Sequence, residues 1–297
     1  TSLLSLGTAA LSGVETNDTV SLSTSGATAS FADKNVGAAK TVTISGLTIS
    51  GADAANYSLT QPTTTASITA RTLTVTGITA SSKIYDGGTS ATVNHTAAAL
   101  NGILGGDVVT IDKTSITGAF TNKNVGTGRT VQISGIGKTG TDAGNYEISQ
   151  PTAVANISVK TLTVTGISAQ NKTYDSTTTA TLTGTPALVG VDSSDTVTVS
   201  RSGATATFGN KNVGTNKAVT VIGVTIGGTG ATNYTVTQPT GLTANITAKA
   251  LTVTGLSADD KTYDGSTTAT ITGTASLQGV QGSDTVNLNA SSPTGTF

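Results

Sequence analysis

Lysine, tyrosine and aspartate recur together along the chain at a spacing that could support ligand binding. Each group has a Lys two residues before a Tyr and three before an Asp, and the groups are Lys83-Ile-Tyr85-Asp86, Lys172-Thr-Tyr174-Asp175 and Lys261-Thr-Tyr263-Asp264. One exposed ion pair per group would give a ligand little affinity or specificity. We therefore expect each Asp to cap backbone amides in a turn, with the Tyr ring packed beneath it.

A second recurring pair, Lys followed by Asn, carries the functional groups of a Lys–Asn isopeptide bond. The pairs are Lys34-Asn35, Lys123-Asn124 and Lys211-Asn212. Joining an amine to a carboxamide needs a buried acid that moves protons. The residue before each pair is Asp33, Asn122 or Asn210, so the nearest acid is not repeated. The sequence therefore disfavours an isopeptide bond at these positions.

Acidic residues that could bind calcium do not recur as a set. A calcium ion takes about six to eight oxygen ligands, typically several from carboxylates. Asp53 and Asp142 occupy matching positions, but the corresponding Thr229-Gly-Ala-Thr-Asn segment has no acid, and Asp259-Asp260 has no acidic counterpart. Four acids do recur, and we expect them to be turn residues: Asp18, Asp107, Asp195 and Asp284. No periodic calcium site and no other cofactor are predicted.

The composition excludes several catalytic and binding classes. The 297 residues include no Cys and one His, His95, which excludes thiol nucleophiles, thiolate metal sites and sites with two imidazoles. A net charge of -1 removes the basic surface that nucleic acids require, and no apolar run approaches the roughly 18 residues of a membrane span. Because His95 has no counterpart at the spacing of the other motifs, we expect a tolerated surface substitution. No catalytic, cofactor-binding or metal-binding residue is predicted, and we expect that the chain is not an enzyme.

All of these groups belong to a sequence repeat of about 89 residues. Leu-Thr-Val-Thr-Gly begins at Leu73, Leu162 and Leu251, two steps of 89 residues, and the Lys-Asn pairs follow steps of 89 and 88. A period this long indicates a domain rather than one turn of a solenoid. The predicted domains are a partial repeat over residues 1–70, complete repeats over 71–159 and 160–248, and a partial repeat over 249–297.

Alternating apolar and Thr residues predict β-strands throughout each repeat. Segments such as 41–44 and 196–199 have the period of a strand with one buried face, and no segment has sustained helical periodicity. We expect an all-β chain in which each repeat forms a small β-sandwich or β-grasp-like domain, with the recurring Phe and Tyr residues in its core. Joining segments such as 157–162 lack flexible Gly-rich or Pro-rich spacers, so we expect an elongated rod.

The motifs together resemble a known family. Lys-x-Tyr-Asp-Gly, with Phe-x-x-Lys-Asn-Val-Gly, Asn-Tyr and Gln-Pro in fixed order, is similar to the tandem YDG-type repeats of large bacterial secreted adhesins, the filamentous-haemagglutinin-like exoproteins. Ser176 departs from the motif because it stands where Gly87 and Gly265 stand, which predicts that its turn does not strictly require a positive φ. The resemblance implies an extracellular or bacterial cell-surface location and a structural stalk that extends a binding tip or builds biofilm matrix.

Two functions stay open from the sequence. The first is that structural stalk. The alternative is a subunit that self-assembles into an extracellular filament through the repeat domains themselves. Low surface charge permits this, and a neighbouring copy could add the Leu-Thr-Val-Thr-Gly strand that residues 1–70 lack. The expected partners are neighbouring copies or further repeats of the same protein, and a host or biofilm surface through regions outside this chain; nucleic acid and a membrane span are not expected.

Overall fold

The chain is built almost entirely of short β-strands. The computed structural model describes residues 6–291 and 293–297. Strands in the first 70 residues are β1 (Ser21–Ser23), β2 (Thr28–Phe31), β3 (Gly37–Ser45), β4 (Thr48–Ser50) and β5 (Thr63–Ile68). Strands in residues 71–159 are β6 (Arg71–Thr76), β7 (Thr79–Ala80), β8 (Lys83–Ile84), β9 (Ser90–Ala91), β10 (Val93–Asn94), β11 (Ala99–Asn101), β12 (Thr110–Asp112), β13 (Thr117–Phe120), β14 (Gly126–Ser134), β15 (Gly137–Thr139), β16 (Tyr146–Ile148) and β17 (Thr152–Ser158).

Residues 160–248 repeat this order of strands, except that an isolated bridge between Thr179 and Thr207 stands at the position of β9. Strands in residues 160–248 are β18 (Lys160–Thr165), β19 (Ser168–Ala169), β20 (Lys172–Thr173), β21 (Leu182–Thr183), β22 (Ala187–Val189), β23 (Thr198–Ser200), β24 (Thr205–Phe208), β25 (Gly214–Ile222), β26 (Thr225–Gly227), β27 (Tyr234–Thr237) and β28 (Leu242–Thr247). Strands in the remaining residues are β29 (Thr252–Ala258), β30 (Thr268–Ala269), β31 (Ile271–Gln278) and β32 (Gly295–Thr296).

Helical structure is limited to single turns. Within residues 6–291 and 293–297 there is no α-helix, and the 3-10 helices are Ala54–Asn56, Ala143–Asn145 and Ala231–Asn233. No helix among these described residues has the length and hydropathy of a membrane span. The prediction of an all-β chain of repeated small domains is confirmed.

Internal contacts divide the chain into two compact units. The first comprises the described residues up to Ser82 together with Thr89–Asn122 and Gly128–Asn156. The second comprises Lys83–Gly88, Lys123–Thr127 and all described residues from Ile157 onward. The two short segments of the second unit contain a Tyr-Asp motif and a Lys-Asn motif. They therefore pack with residues that come later in the sequence.

The second unit contains a complete two-layer repeat. One layer is the sheet β22-β18-β27, in which β18 pairs antiparallel with β22 and parallel with β27. The other layer is the sheet β20-β28-β25-β24. Phe208, Val219 and Ile246 of the second layer are buried, and Val164 of β18 packs against their cluster. This repeat is therefore a small β-sandwich, since the described part of the chain has no α-helix to cover either sheet.

The alternation predicted from sequence is visible in β25. Val219 and Val221 are buried. Ala218, which precedes them, and Thr220, which lies between them, are exposed. Thr suits the outer face because it is β-branched and polar. The outer face of the strand is thus uncharged but compatible with water.

The first unit repeats the mixed pairing of the second. β6 pairs antiparallel with β11 and parallel with β16, and Leu73 at its centre is fully buried. A separate three-stranded sheet has the order β2-β3-β5. The central Leu-Thr-Val-Thr strand therefore receives a partner on both edges in each complete repeat, and the parallel partner begins with the Tyr of the Asn-Tyr motif.

The nine-residue strands β3, β14 and β25 each contain a residue with a left-handed backbone. The φ angles are 48°, 60° and 48° at Ala39, Gly128 and Asn216. The strand register shifts between Gly37 and Lys40 and again between Gly214 and Lys217, so these residues lie in β-bulges. The three amides donate hydrogen bonds to the neighbouring strand, at Ser67 Oγ (3.3 Å), Asn156 Oδ1 (2.8 Å) and Asn245 Oδ1 (2.8 Å).

Exchanging Ala and Gly at this bulge should change stability in opposite directions in two repeats. Ala39→Gly is expected to raise the free energy of unfolding by about 1 kcal/mol, because a Cβ is strained at positive φ. Gly128→Ala should lower it by about the same amount. An added Cβ at Gly128 would meet no atom within 4 Å, so this variant isolates the backbone strain. Urea denaturation followed by circular dichroism measures both, and changes of equal sign would contradict the assignment.

Candidate functional site

The aspartates of the Tyr-Asp motifs cap the turns in which they lie. Asp86 Oδ1 accepts hydrogen bonds from the Gly88 amide at 3.0 Å and from Lys83 Nζ at 2.7 Å. The other two motifs are built alike, with Asp175 bound to Thr177 and Lys172 and Asp264 bound to Ser266 and Lys261. The hydrogen bond from Lys172, followed by that from the Thr177 amide, lowers the pKa of Asp175 to about 2. The predicted capping role is confirmed.

The residue after each Asp adopts a left-handed conformation in all three motifs. The φ angles are 77° at Gly87, 65° at Ser176 and 75° at Gly265. The expectation that the turn at Ser176 needs no positive φ is therefore wrong, and Ser176 bears the strain of a Cβ in this region. Gly87 has a second reason to be Gly, because an added Cβ would lie 2.2 Å from Asp192 Oδ1.

A buried carboxylate, Asp195, collects three donors in the second unit. The hydroxyls of Tyr85 and Tyr234 both donate to its Oδ2, at 2.7 and 2.8 Å. Lys123 Nζ lies 3.1 Å from its Oδ1 and 5.9 Å from the centre of the Tyr85 ring. The Asp195 side chain is 5% exposed. The recurring Tyr, Lys and Asp residues thus meet at one point that their sequence positions do not suggest.

The same arrangement recurs at the other acids of this series. Asp284 accepts hydrogen bonds from Tyr174 and Lys211. In the first unit, Asp107 accepts from Tyr146 and Lys34, each at 2.7 Å, and Lys34 also contacts Asp142 at 3.0 Å. Asp18 accepts from Tyr57 at 2.6 Å. These four acids lie at turns, as expected, but the sequence does not show that they are acceptors for Tyr and Lys.

Two of these tyrosines come from the preceding repeat. Tyr85 and Asp195 are 110 residues apart, and so are Tyr174 and Asp284, a distance longer than one repeat. Lys34, Lys123 and Lys211 likewise lie in the repeat before their Asp. We call each Asp, with the Lys and Tyr side chains bound to it, a junction. Tyr263 is 93% exposed.

The Asn of the Asn-Tyr motif makes a second contact between the same two repeats. Asn233 Oδ1 accepts the Val125 amide at 2.9 Å, and its Nδ2 donates to Asn124 Oδ1 at 3.2 Å. Asn233 is 2% exposed. In the first unit, Asn145 makes the same two hydrogen bonds, with Val36 and Asn35. The Lys-Asn and Asn-Tyr motifs therefore recognise each other across consecutive repeats.

The charges at the junction are held by hydrogen bonding. Burial raises the pKa of Asp195, but hydrogen bonds from Tyr85, Tyr234 and Lys123 outweigh it, and the net pKa is lowered. The hydrogen bond to Asp195 raises the pKa of Lys123. Burial, reinforced by Asp195 and opposed by the Asp192 amide, raises the pKa of Tyr234 to about 12. Asp195 is therefore ionised and its tyrosines are neutral at physiological pH.

The Lys-Asn pairs and the acids that could bind calcium have other partners in the structure. The Lys of each Lys-Asn pair contacts a carboxylate, and in the first unit the hydrogen bond between Lys34 and Asp107 raises the pKa of the Lys and lowers that of the Asp. Both groups are thus stabilised in charged forms, whereas amide formation needs a neutral amine. Asp53 and Asp142 accept the amides of Thr19 and Val108. Within residues 6–291 and 293–297, no cluster of His, Cys, Asp and Glu could hold a metal ion.

The single histidine and most of the aromatic residues are buried or half-buried. His95 is half-buried rather than a surface residue, and its Nδ1 has no hydrogen-bond partner in the described part of the chain. The aromatic core interpretation holds for the buried members of the set, which are Tyr85, Phe120, Tyr146, Phe208 and Tyr234. Phe297 and Tyr263 are exposed.

A family model matches most of the chain. The YDG domain matches residues 4–66, 69–153, 158–241 and 247–297. These four tandem segments contain all of the Tyr-Asp, Lys-Asn and Asn-Tyr motifs described above. No curated protein and no solved structure matches the chain. The junctions and the Asn contacts between repeats are built from Tyr, Lys and Asn residues of these recurring motifs.

Removal of the junction carboxylate should destabilise the second unit. Asp195→Ala is expected to lower the free energy of unfolding by about 3–5 kcal/mol, because it leaves two hydroxyls and an ammonium without their acceptor. Asp86→Asn is the matched control, since its side chain is 59% exposed and it loses only an ion pair, with an expected cost of about 1 kcal/mol or less. Urea denaturation of the full chain measures both. Equal costs would show that the junction is not the stabilising contact.

Stability at alkaline pH should depend on Tyr234. The fold raises the pKa of Tyr234 from 10.0 to about 12, so the stability that its neutral form contributes is complete below pH 10.0 and is lost as the pH rises toward 12. Tyr234→Phe should therefore flatten the loss of unfolding free energy over this range. Tyr263→Phe, at the 93% exposed position, serves as the control. Identical pH profiles for Tyr234→Phe and the unmodified chain would contradict this assignment.

Proposed function

The chain belongs to the YDG domain family, and from this premise we propose that it is a non-enzymatic structural stalk of a bacterial cell-surface or secreted adhesin. In this role it extends a binding tip or builds biofilm matrix, and its location is extracellular. The observation that carries the proposal is the junction at Asp195, where a buried carboxylate binds Tyr85 and Lys123 of one repeat and Tyr234 of the next.

The use of the recurring polar residues supports a structural role. An enzyme or a receptor-binding domain would present a polar cluster in an accessible cleft. At the Asp195 junction the acid and the amide face inward, since the Asp195 side chain is 5% exposed and Asn233 is 2% exposed. The equivalent Asp284 side chain is 21% exposed. The partners of Asp195 are Tyr234 of its own repeat and Tyr85 and Lys123 of the preceding repeat. The repeated chemistry is therefore directed at joining repeats.

Because each domain is small, the contacts between repeats would contribute to its resistance to unfolding under tension. A domain of about 89 residues without disulfides has a narrow margin of stability. In tandem arrays, contacts between neighbouring repeats add to the stability of each one. Junctions that fasten the loops of one repeat onto the next would let a stalk bear tension without covalent cross-links.

The alternative is a subunit that self-assembles into an extracellular filament through the repeat domains. Its partners would be copies of the same chain, whereas a stalk would meet a host or biofilm surface through regions outside this chain. Strand pairing between copies needs a long unpaired edge. The outer strands β11, β16 and β22 of the complete repeats have three residues each, which favours the stalk. The outer strands β5, β29 and β31 have six to eight residues, so strand addition by another copy would have to use those edges.

Force spectroscopy on the full chain tests the stalk proposal. Each complete repeat is expected to unfold in a separate step that releases about 89 residues, or roughly 30 nm of contour at about 3.3–3.6 Å per residue. Asp195→Ala should lower the unfolding force of at least one step, whereas Asp86→Asn should leave the forces unchanged. Extension without steps would contradict a load-bearing stalk. Concentration-dependent fibres in light scattering and negative-stain microscopy would favour the filament instead.

A further inference from the structure

The pair Tyr85 and Tyr234 has the geometry of an oxidative cross-linking site. Their ring centres are 5.4 Å apart and their planes are inclined by 78°, so the edge of one ring faces the other. We propose that a peroxidase supplied with hydrogen peroxide removes one electron from each tyrosine, and that the two rings then join by a carbon–carbon bond to form dityrosine. The product would be a covalent staple between consecutive repeats, and the inference does not depend on the proposed stalk function.

A shared acceptor brings the reactive carbons together. Both hydroxyls donate to the same atom, Asp195 Oδ2, at 2.7 and 2.8 Å. Phenoxyl radicals couple at the ring carbons next to the hydroxyl-bearing carbon, so convergence of the hydroxyls also makes these carbons converge. Coupling of groups already held in contact avoids the entropic cost of an encounter.

Asp195 also accepts a proton during oxidation. A phenol loses its proton as it loses an electron, and a hydrogen-bonded carboxylate is the acceptor for that proton. Lys123 Nζ, 3.1 Å from the other Asp195 oxygen, keeps the carboxylate in its ionised form. Asp195 and Lys123, which bind the tyrosines together at the junction, therefore also prepare them for oxidation.

Formation of one dityrosine consumes one molecule of hydrogen peroxide. Each tyrosine gives up one electron and one phenolic proton, and the two phenoxyl radicals form one carbon–carbon bond. The hydrogens on the coupled carbons then move to the oxygens and restore both phenols. The net loss is two electrons and two protons, which reduce one hydrogen peroxide to two waters. The chain becomes lighter by two hydrogen atoms.

Burial makes the site selective for coupling within one chain. Tyr85 is 1% exposed and Tyr234 is 6% exposed, so their rings cannot meet those of another molecule. Electrons can leave a buried ring by transfer through the protein, and the oxidant need not touch it. Tyr174 is the internal comparison, because it binds Asp284 at an equivalent junction. Within residues 6–291 and 293–297, no second tyrosine binds that acid.

Mild oxidation of the dilute full chain tests the proposal. The chain is treated with peroxidase and hydrogen peroxide, and separately with a photoactivated ruthenium complex and persulfate. Dityrosine fluorescence, intact mass and peptide mapping are the readouts. We expect a monomer two hydrogen atoms lighter, in which the peptides that contain Tyr85 and Tyr234 are joined.

Phenylalanine variants separate proximity from exposure. Tyr85→Phe and Tyr234→Phe should each abolish the intramolecular product, whereas Tyr174→Phe should leave its yield unchanged. Tyr263→Phe, at the most exposed tyrosine, should remove only products that join two chains. Circular dichroism checks that each variant is folded. If a variant is unfolded, peptide mapping of the unmodified chain shows which two tyrosines are joined. No intramolecular product, or one that joins other tyrosines, would overturn the proposal.

Discussion

A carboxylate removed from water must be matched by donors, and this requirement organises the junction at Asp195. Burial alone would favour its protonated form, and only hydrogen bonds from Tyr85, Tyr234 and Lys123 keep it charged. The three donors belong to two consecutive repeats, so neither repeat can satisfy the acid alone. A requirement of this kind is directional and specific, because hydroxyl, ammonium and carboxylate must meet within about 3 Å. The Tyr-Asp, Lys-Asn and Asn-Tyr motifs each supply one of the donors that this carboxylate requires.

The local structure of each repeat presents these groups at the required points. A single 3-10 turn, Ala231–Asn233, ends at the Asn that binds the preceding repeat, and the chain then enters β27 with Tyr234. Parallel pairing sets Tyr234 opposite Lys160 at the start of β18. On the other side, Tyr85 directly precedes the capped turn at Asp86 and donates to Asp195. The groups that meet at the junction thus lie next to a short turn in each of the two repeats.

The same arrangement explains why a chain with so few charges repeats some of them faithfully. Only 10% of residues are charged, and the exposed strand faces are covered by uncharged Thr. The Asp–Lys pairs retained in each repeat bridge to the neighbouring one or cap a turn, where partial burial strengthens them. The junctions are not identical, because Asp142 adds a second acid to Lys34, whereas Gly230 occupies the matching position beside Asp195. The shared pattern tolerates such differences because the Tyr–Asp–Lys contacts are kept.

The sequence by itself determined the features that depend on neighbours along the chain. Alternation over residues such as 196–199 indicated strands, and the Tyr-Asp spacing indicated a turn capped by Asp86. The 89-residue period and its motifs identified tandem YDG repeats. Only the tertiary structure decided which groups the motifs contact. Tyr85 meets Asp195 across 110 residues, and Ser176 takes a left-handed φ despite its Cβ. A repeat period reports which positions are equivalent, but not which equivalent groups face each other, because that depends on how folded repeats place their loops in space.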